Sequence, residues 1–510
     1  MLAYIARRLI TAFFVVVGAS FIVYMLMTWA GDPLEFLLNI QDPAEREAVR
    51  QSVVDALSLD VNPVARYFIW LGDVLTGDFG VSARTRLPVN DELASRLPLT
   101  LKLVSSALVL SVVIGIAVGI VTALKQYSGF DYVVTFFTFV FFSLPVFWVG
   151  VILKAYGGID FNDWLRDGAN FAPWFLILAT LAAAAIGYSV AGGKPPRKLA
   201  FAAGTAVVFG GLLLYVSESQ WMLDPGFGPI GVAVLAIAIA VGTTAIMAGW
   251  RNHKARYTAL TTAALGIVLW FPLQSIFDGD SMSIKMLFLL ALSSIVLGVI
   301  VGYAWGGFDK GLSARVGAIT AFVIGIVMFI DRAMRSWADY SANSVIRNRP
   351  IKTIGDRESR LEGDFWIHTA DTFSHLILPT MVLMLISVAT YTRYSRASML
   401  EVLNQDYIRT ARSKGLTERT VIVRHGFRNA MIPLATIVAF DIGGLLGGAV
   451  ITETVFEWNA MGRLFIDGLR AVDPNPVMAA FVVVAVFAIV ANLLADLAYA
   501  VLDPRIRIGD

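Results

Sequence analysis

The chain has 510 residues, of which 57% are apolar and 15% charged, with 40 Lys and Arg against 38 Asp and Glu. So little charge among long apolar runs excludes a large soluble core and leaves an all-α polytopic membrane protein. A net charge near zero carries no signal for nucleic acid, and the absence of cysteine excludes disulfides, thiolate metal sites and cysteine nucleophiles.

Apolar runs of about the length needed to cross a bilayer recur near 9–30, 99–123, 132–154, 172–191, 198–216, 229–250, 257–277, 284–305, 313–331, 376–398, 433–455 and 477–502. That makes about 12 transmembrane helices. The first follows Arg7 and Arg8 and is longer than a signal-peptide core, so it reads as a retained helix with its N-terminus inside. Trp29, Trp174, Trp250, Trp305 and Trp458 fall at span ends, as interfacial aromatics do.

Between the first two spans, 31–97 carries eleven acids and six arginines and is too polar to cross. Asp42-Pro43 with Glu45 and Glu47, and Asn62-Pro63, mark helix starts, so this segment reads as a small external helical cap. Charge orients the remainder. The stretches 192–198, 251–256 and 309–315 are basic and fall inside, whereas 217–228 and 278–283 hold no Lys or Arg and fall outside. Both termini come out cytoplasmic. The segment 332–375 is an external loop that carries arginines against this trend.

The chain divides into 1–154, a six-helix block 155–331 rich in Ala and Gly, and 376–510. An even number of crossings in the middle leaves the orientation of the last part unchanged.

The cytoplasmic loop 400–432 is the strongest functional signal. From Arg393 to Pro433 it holds eight Arg or Lys against three acids. Asp406 reads as the cap of an amphipathic helix from Tyr407 to Lys414. Gly415 suits its left-handed end, and Thr417 starts a second helix. Tyr407, Ile408 and Ala411 are expected to offer apolar contact to a docked partner, with Arg409, Arg412 and Lys414 supplying charge. The alternative is a loop that binds anionic lipid headgroups.

Within the spans, Asp441 is the carboxylate best placed to line a hydrated pathway, with helix packing as its alternative. Asn492 and Asp496 share one face of the last span and read as packing. Gly115 and Gly119, Gly443 and Gly447, and Gly444 and Gly448 are small-residue faces for close helix approach. Pro145 and Pro379 are expected to kink their helices. The four histidines have no metal-ligand spacing.

The run Asp406-Tyr407-Ile408-Arg409-Thr410-Ala411-Arg412, ending in Lys414-Gly415-Leu416, resembles the coupling loop of ABC importer permeases of the dipeptide, oligopeptide and nickel branch. Gly415 matches the family's central glycine and Ala411 its second alanine. Arg409 replaces the glutamate, Thr410 the first alanine and Arg428 the late proline. The likeness extends to Gly77–Gly80, Arg96–Thr100, Ser143–Pro145, Leu378–Thr380, Tyr391–Arg396, Gly443–Val450, Glu453–Phe456, Met461–Arg463 and Asp496–Arg505. It covers the ends of the chain; the middle block has no counterpart in the usual member.

The resemblance implies a type I ABC importer permease core in a bacterial plasma membrane. A second homologous permease would complete the pathway, cytoplasmic ABC ATPase subunits would dock on Asp406, Tyr407, Arg409, Thr410, Ala411, Arg412, Gly415 and Leu416, and an external solute-binding protein would deliver peptide. Asp441, Gly444 and Gly448 are the pathway candidates. The sequence holds no Gly-x4-Gly-Lys-Ser/Thr loop, so no cofactor is expected here; ATP and Mg would be bound by the partners. The alternative is a twelve-helix secondary transporter.

Overall fold

The computed structural model describes residues 2–279 and 281–502, with the side chains of 2–5, 39, 443, 445–448 and 495–502 outside that description. The described residues form helices joined mostly by short turns, with longer irregular stretches at 76–88 and 343–364, and with no strand among them beyond one isolated bridge between Val81 and Pro88.

Helix α1 (Leu2–Ala30) is the first span. The segment after α1 then starts its helices where the sequence indicates. Asp42 Oδ1 accepts from the Ala44 N–H at 2.9 Å to start α2 (Pro43–Leu57), and Asn62 Oδ1 accepts from Val64 N–H at 3.0 Å to start α3 (Pro63–Leu75). α3 leans against α1 rather than riding clear of it. The buried Tyr67 hydroxyl donates to the Val17 carbonyl at 2.9 Å and shares a 2.8 Å bond with Ser20.

Helix α4 (Val89–Leu124) starts well before the expected 99, because its first turns carry Asp91 and Glu92, which hydropathy does not register. The third expected span is broken. α5 (Gly129–Ser143) and α6 (Val146–Ile152) meet at a 104° bend, and the second arm continues through a π-turn to α7 (Phe161–Arg166). Pro145 has no N–H and holds Leu144 extended, at φ −79° and ψ 129°, so a kink becomes a corner.

The middle block supplies its six helices: α8 (Pro173–Val190), α9 (Pro195–Glu218), α10 (Gly228–Thr243), α11 (His253–Phe277), α12 (Ile284–Trp305) and α13 (Lys310–Arg335). α8 and α9 form a hairpin against α5, while α10 to α13 pack as a bundle around Val232, Ala236, Ala259, Val316 and Ile324. α12 and α13 approach backbone to backbone at Gly298 and Gly317. The block also buries a carboxylate: Asp331 accepts from the N–H groups of Phe227 at 2.8 Å and Gly228 at 2.9 Å, and from Trp270 Nε1 at 3.0 Å.

After α14 (Trp337–Ala342), helix α15 (Phe365–Leu403) begins inside the expected external loop, capped by Asp364 on the Ile367 N–H at 2.9 Å. It remains one helix through Pro379. Its pairing with α4 is the spine of the molecule. A Cβ at Gly115 would lie 2.6 Å from the Tyr391 Cβ, and Gly119 faces Ser395 just as closely, so the expected glycine approach is real. Arg396 clamps the same helix to α5 with two 2.9 Å bonds to Asp131.

The chain ends with α16 (Asp406–Ser413), α17 (Glu418–Thr420), a π-turn Val421–Phe427, α18 (Arg428–Val455), α19 (Met461–Arg470) and α20 (Pro474–Leu502). Ten helices among the described residues have the length and apolarity of a membrane span, and the bent pair makes eleven; α18 occupies the remaining expected position. Trp29, Trp174, Trp250 and Trp305 are exposed at helix ends, but Trp458 is buried in the core with Phe456 and Ala460.

Candidate functional site: the loop between α15 and α18

Helix α16 is short and two-faced. Ile408 and Ala411, 0% and 6% exposed, pack with Val421 of the π-turn and Val402 at the end of α15. On the opposite side the Asp406 and Arg409 side chains are 97% and 72% exposed. Ile408 and Ala411 therefore fasten the helix to its own chain instead of offering apolar contact outward. Tyr407 and Leu416, by contrast, are exposed, as are Val423 and Phe427 further along the loop. Tyr407 also accepts from Asn429 Nδ2 at 3.1 Å, tying α16 to the first turn of α18.

Asp406 is not the cap. The cap position is Gln405, whose side chain makes no capping bond, and Asp406 is the first helical residue, where its charge meets the positive end of the helix dipole. The C-terminal end follows expectation. Gly415 adopts φ +75°, its N–H donates to the Arg412 carbonyl at 2.9 Å, and Leu416 N–H reaches the Ala411 carbonyl at 3.4 Å. Thr417 caps the next turn, its Oγ1 accepting from Thr420 N–H at 3.4 Å. Arg412 Nε reaches forward past the glycine to donate to Glu418 Oε1 at 2.8 Å, and Thr410 Oγ1 donates to the Asp406 carbonyl at 2.9 Å.

The element is thus a rigid helix–glycine–helix unit whose buried face rests on both α15 and the approach to α18. Gly426 continues the seat, packed under the buried Met399 of α15, which meets Ala123 of α4 and Ala430 of α18.

The pathway candidates are dispersed. Asp441 lies midway along α18, half-buried, and the Tyr391 hydroxyl of α15 is buried with no hydrogen-bond partner among the described residues. Gly444 faces open space, and a Cβ there would meet nothing within 4 Å, so it is not a helix contact among the described residues. The packing of Gly443, Gly447 and Gly448 lies outside the described residues, as does the Asp496 side chain. Among the described residues no three His, Asp or Glu converge as metal ligands.

Two clusters escaped the sequence reading. The first joins Arg96–Thr100, Glu453–Phe456 and Met461–Arg463 into one buried knot. Glu453 accepts from Thr100 Oγ1 and the Gly462 N–H, both at 2.6 Å, while Thr100 Oγ1 accepts from Met461 N–H at 3.0 Å. The second sits outside the spans, where Asp473 accepts from Ser82 Oγ at 2.8 Å and Arg84 N–H at 3.3 Å. Burial pushes the Asp473 carboxyl above its ordinary value, against those hydrogen bonds. Three separate short motifs marked the residues of the first, and none marked those of the second.

Residues 257–508 match the family described as binding-protein-dependent transport system inner membrane component. The oligopeptide transport system permease protein OppB of Mycobacterium tuberculosis (strain H37Rv) is 34% identical over 267 residues, 51% of this chain and 80% of that protein. The oligopeptide transport system permease protein AppB of Bacillus subtilis (strain 168) is 25% identical over 509 residues, 99% of this chain and all of AppB. The dipeptide transport system permease protein DppB of Escherichia coli (strain K12) is 26% identical over 514 residues, 99% of each. At 34% identity across four-fifths of OppB the relationship is one of family, and the chain belongs to the binding-protein-dependent transport system inner membrane components, the permease subunits of ABC importers.

Proposed function

We propose that this permease imports di- or oligopeptides, the cargo in the names of OppB, AppB and DppB. It forms half of a translocation pathway whose other half is a second, homologous permease. An external solute-binding protein delivers the peptide. ATP and Mg are held by cytoplasmic ATPase subunits that dock on α16 through Asp406, Tyr407, Arg409, Thr410, Arg412 and Leu416, with Ala411 and Gly415 holding the helix in place. ATP-driven approach of those subunits moves the two coupling loops together and switches access from inside to outside; hydrolysis resets it. Asp441, Gly444 and Gly448 face the pathway. Residues 155–331 form an inserted module outside the core, in a bacterial plasma membrane with both termini cytoplasmic.

The observation that carries this reading is the division of α16 into a face buried on α15 and the π-turn and a charged face left open. A twelve-helix secondary transporter has no use for such a seat, and family membership does not favour it. The test is purification of the tagged chain from its native membranes in mild detergent, with mass spectrometry of what co-elutes. Stoichiometric ATPase and second permease support the reading. A chain that emerges alone under several mild conditions contradicts it.

A further inference from the structure

The middle block touches the coupling loop at one corner. Helix α10 does not stop at Thr243; it runs on as a π-turn, Thr244–Ala248, closed by Gly249 at φ +82° with its N–H on the Thr244 carbonyl at 2.8 Å. Carbonyls at such an end have no intrahelical donor and carry the negative pole of the helix. The Ile246 carbonyl is one of them, and it accepts from Arg419 Nη2, on α17 in the coupling loop. A Cβ at Gly249 would lie 2.5 Å from Arg419 Nη1, so the bare glycine leaves the space the guanidinium occupies.

Both ends of this contact are anchored. The neighbour of Arg419, Glu418, holds Arg412 of α16. On the other side Thr243 Oγ1 shares a 2.8 Å bond with Thr320 of α13, so the corner is fixed to the bundle. Arg419 therefore joins two rigid bodies, the helix–glycine–helix unit and the four-helix bundle.

We propose that Arg419 is a positioning residue for coupling, which braces the loop against the bundle so that a push on α16 is delivered along α15 and α18 and not lost in sideways swing. The proposal rests on the reading that α16 is the ATPase dock. Its measure is peptide transported per ATP hydrolysed in the complete, reconstituted importer.

Arg419→Ala lowers that ratio about tenfold, the order set by loss of a hydrogen bond from a charged donor. Arg419→Lys, which keeps a charged donor, recovers part of it. The chain has no cysteine, so Ile246→Cys with Arg419→Cys can be bridged selectively by a short bis-methanethiosulfonate. The bridge restores the ratio, and reductant abolishes it again. A pair that does not bridge, a bridge that restores nothing, or an Arg419→Ala ratio equal to the parent's overturns the proposal. Crosslinking of Arg409→Cys to the ATPase subunit is scored in the same preparations. With that crosslink present, an unchanged ratio overturns the brace alone; without it, the docking reading falls and the brace with it.

Discussion

Thr100 and Glu453, 353 residues apart in sequence, meet across a 2.6 Å hydrogen bond in which the threonine hydroxyl donates to a fully buried carboxylate. The same hydroxyl accepts from Met461 N–H, and the other carboxylate oxygen accepts from Gly462 N–H. One knot thereby fixes α4 to the end of α18 and the start of α19. Buried polar groups are costly when a partner is removed. Thr100→Val leaves the Met461 N–H and Glu453 Oε1 unsatisfied and should destabilise the protein by about 1–3 kcal/mol. Gly462→Ala should do at least as much, since its Cβ would sit 2.6 Å from Glu453 Oε2 and from Val450 Cα. Thermal unfolding in detergent or nanodiscs measures both, and an unchanged transition would deny the knot its structural role.

A second expectation concerns Arg396 and Asp131. Both guanidinium bonds are 2.9 Å, and the Asp131 side chain is 4% exposed. Arg396→Ala takes the only ion-pair partner of that buried carboxylate among the described residues, leaving it the Tyr127 N–H at 3.0 Å, and should cost roughly 3 kcal/mol. Replacing Asp131 by Asn in the same background should recover much of the loss, because no buried charge remains. If the double variant is as unstable as the single one, the interaction is not what holds α5 to α15.

Asp473 gives its contact with Ser82 and Arg84 a pH dependence. Its folded carboxyl titrates above the ordinary value of 3.8 because burial disfavours the charge. A raised folded value means that the stabilisation is fully present below the unfolded value and is lost as pH rises through the folded one. The segment around Ser82 to Arg84 should therefore be best protected from hydrogen exchange in mild acid and loosen as pH climbs past the usual carboxylate range. Asp473→Asn should remove that slope. A slope that survives the substitution would assign it to another group.

Local features were readable in the sequence and long-range ones were not. Asp42, Asn62, Gly415 and Thr417 announce helix ends because each acts on its own neighbours, and all four do what their residue type requires. α4 and α15 begin earlier than hydropathy indicates, since polar residues such as Glu92 and Asp371 sit in helical turns satisfied by partners outside the helix. Ile408 and Ala411 looked like outward contacts because an amphipathic helix does not state which face meets its own chain. The buried network of Glu453 and the Arg419–Ile246 contact depend on residues over a hundred positions away or across a turn, and no spacing rule reaches them.

The conformational role of Gly415 can be separated from packing. It holds φ +75°, yet a Cβ there would touch nothing within 4 Å. Gly415→Val should thus act through backbone strain alone, about 1–3 kcal/mol, shifting the loop while the spans remain folded. ATP hydrolysis should continue with transport reduced, and Gly415→Asn, which tolerates the left-handed region, should be milder. Equal transport in the valine variant would remove the glycine from the coupling mechanism.

In the proposed importer the charged face of α16 is where the ATPase docks. The most direct test is a set of single cysteines in this cysteine-free chain, at Arg409 and Leu416 on the open face and at Ile408 on the buried one, each probed with a short thiol crosslinker in native membranes. ATPase-subunit adducts are expected from Arg409→Cys and Leu416→Cys and none from Ile408→Cys. Adducts absent from both open positions, with the three variants folded and the ATPase present in the membrane, would contradict it.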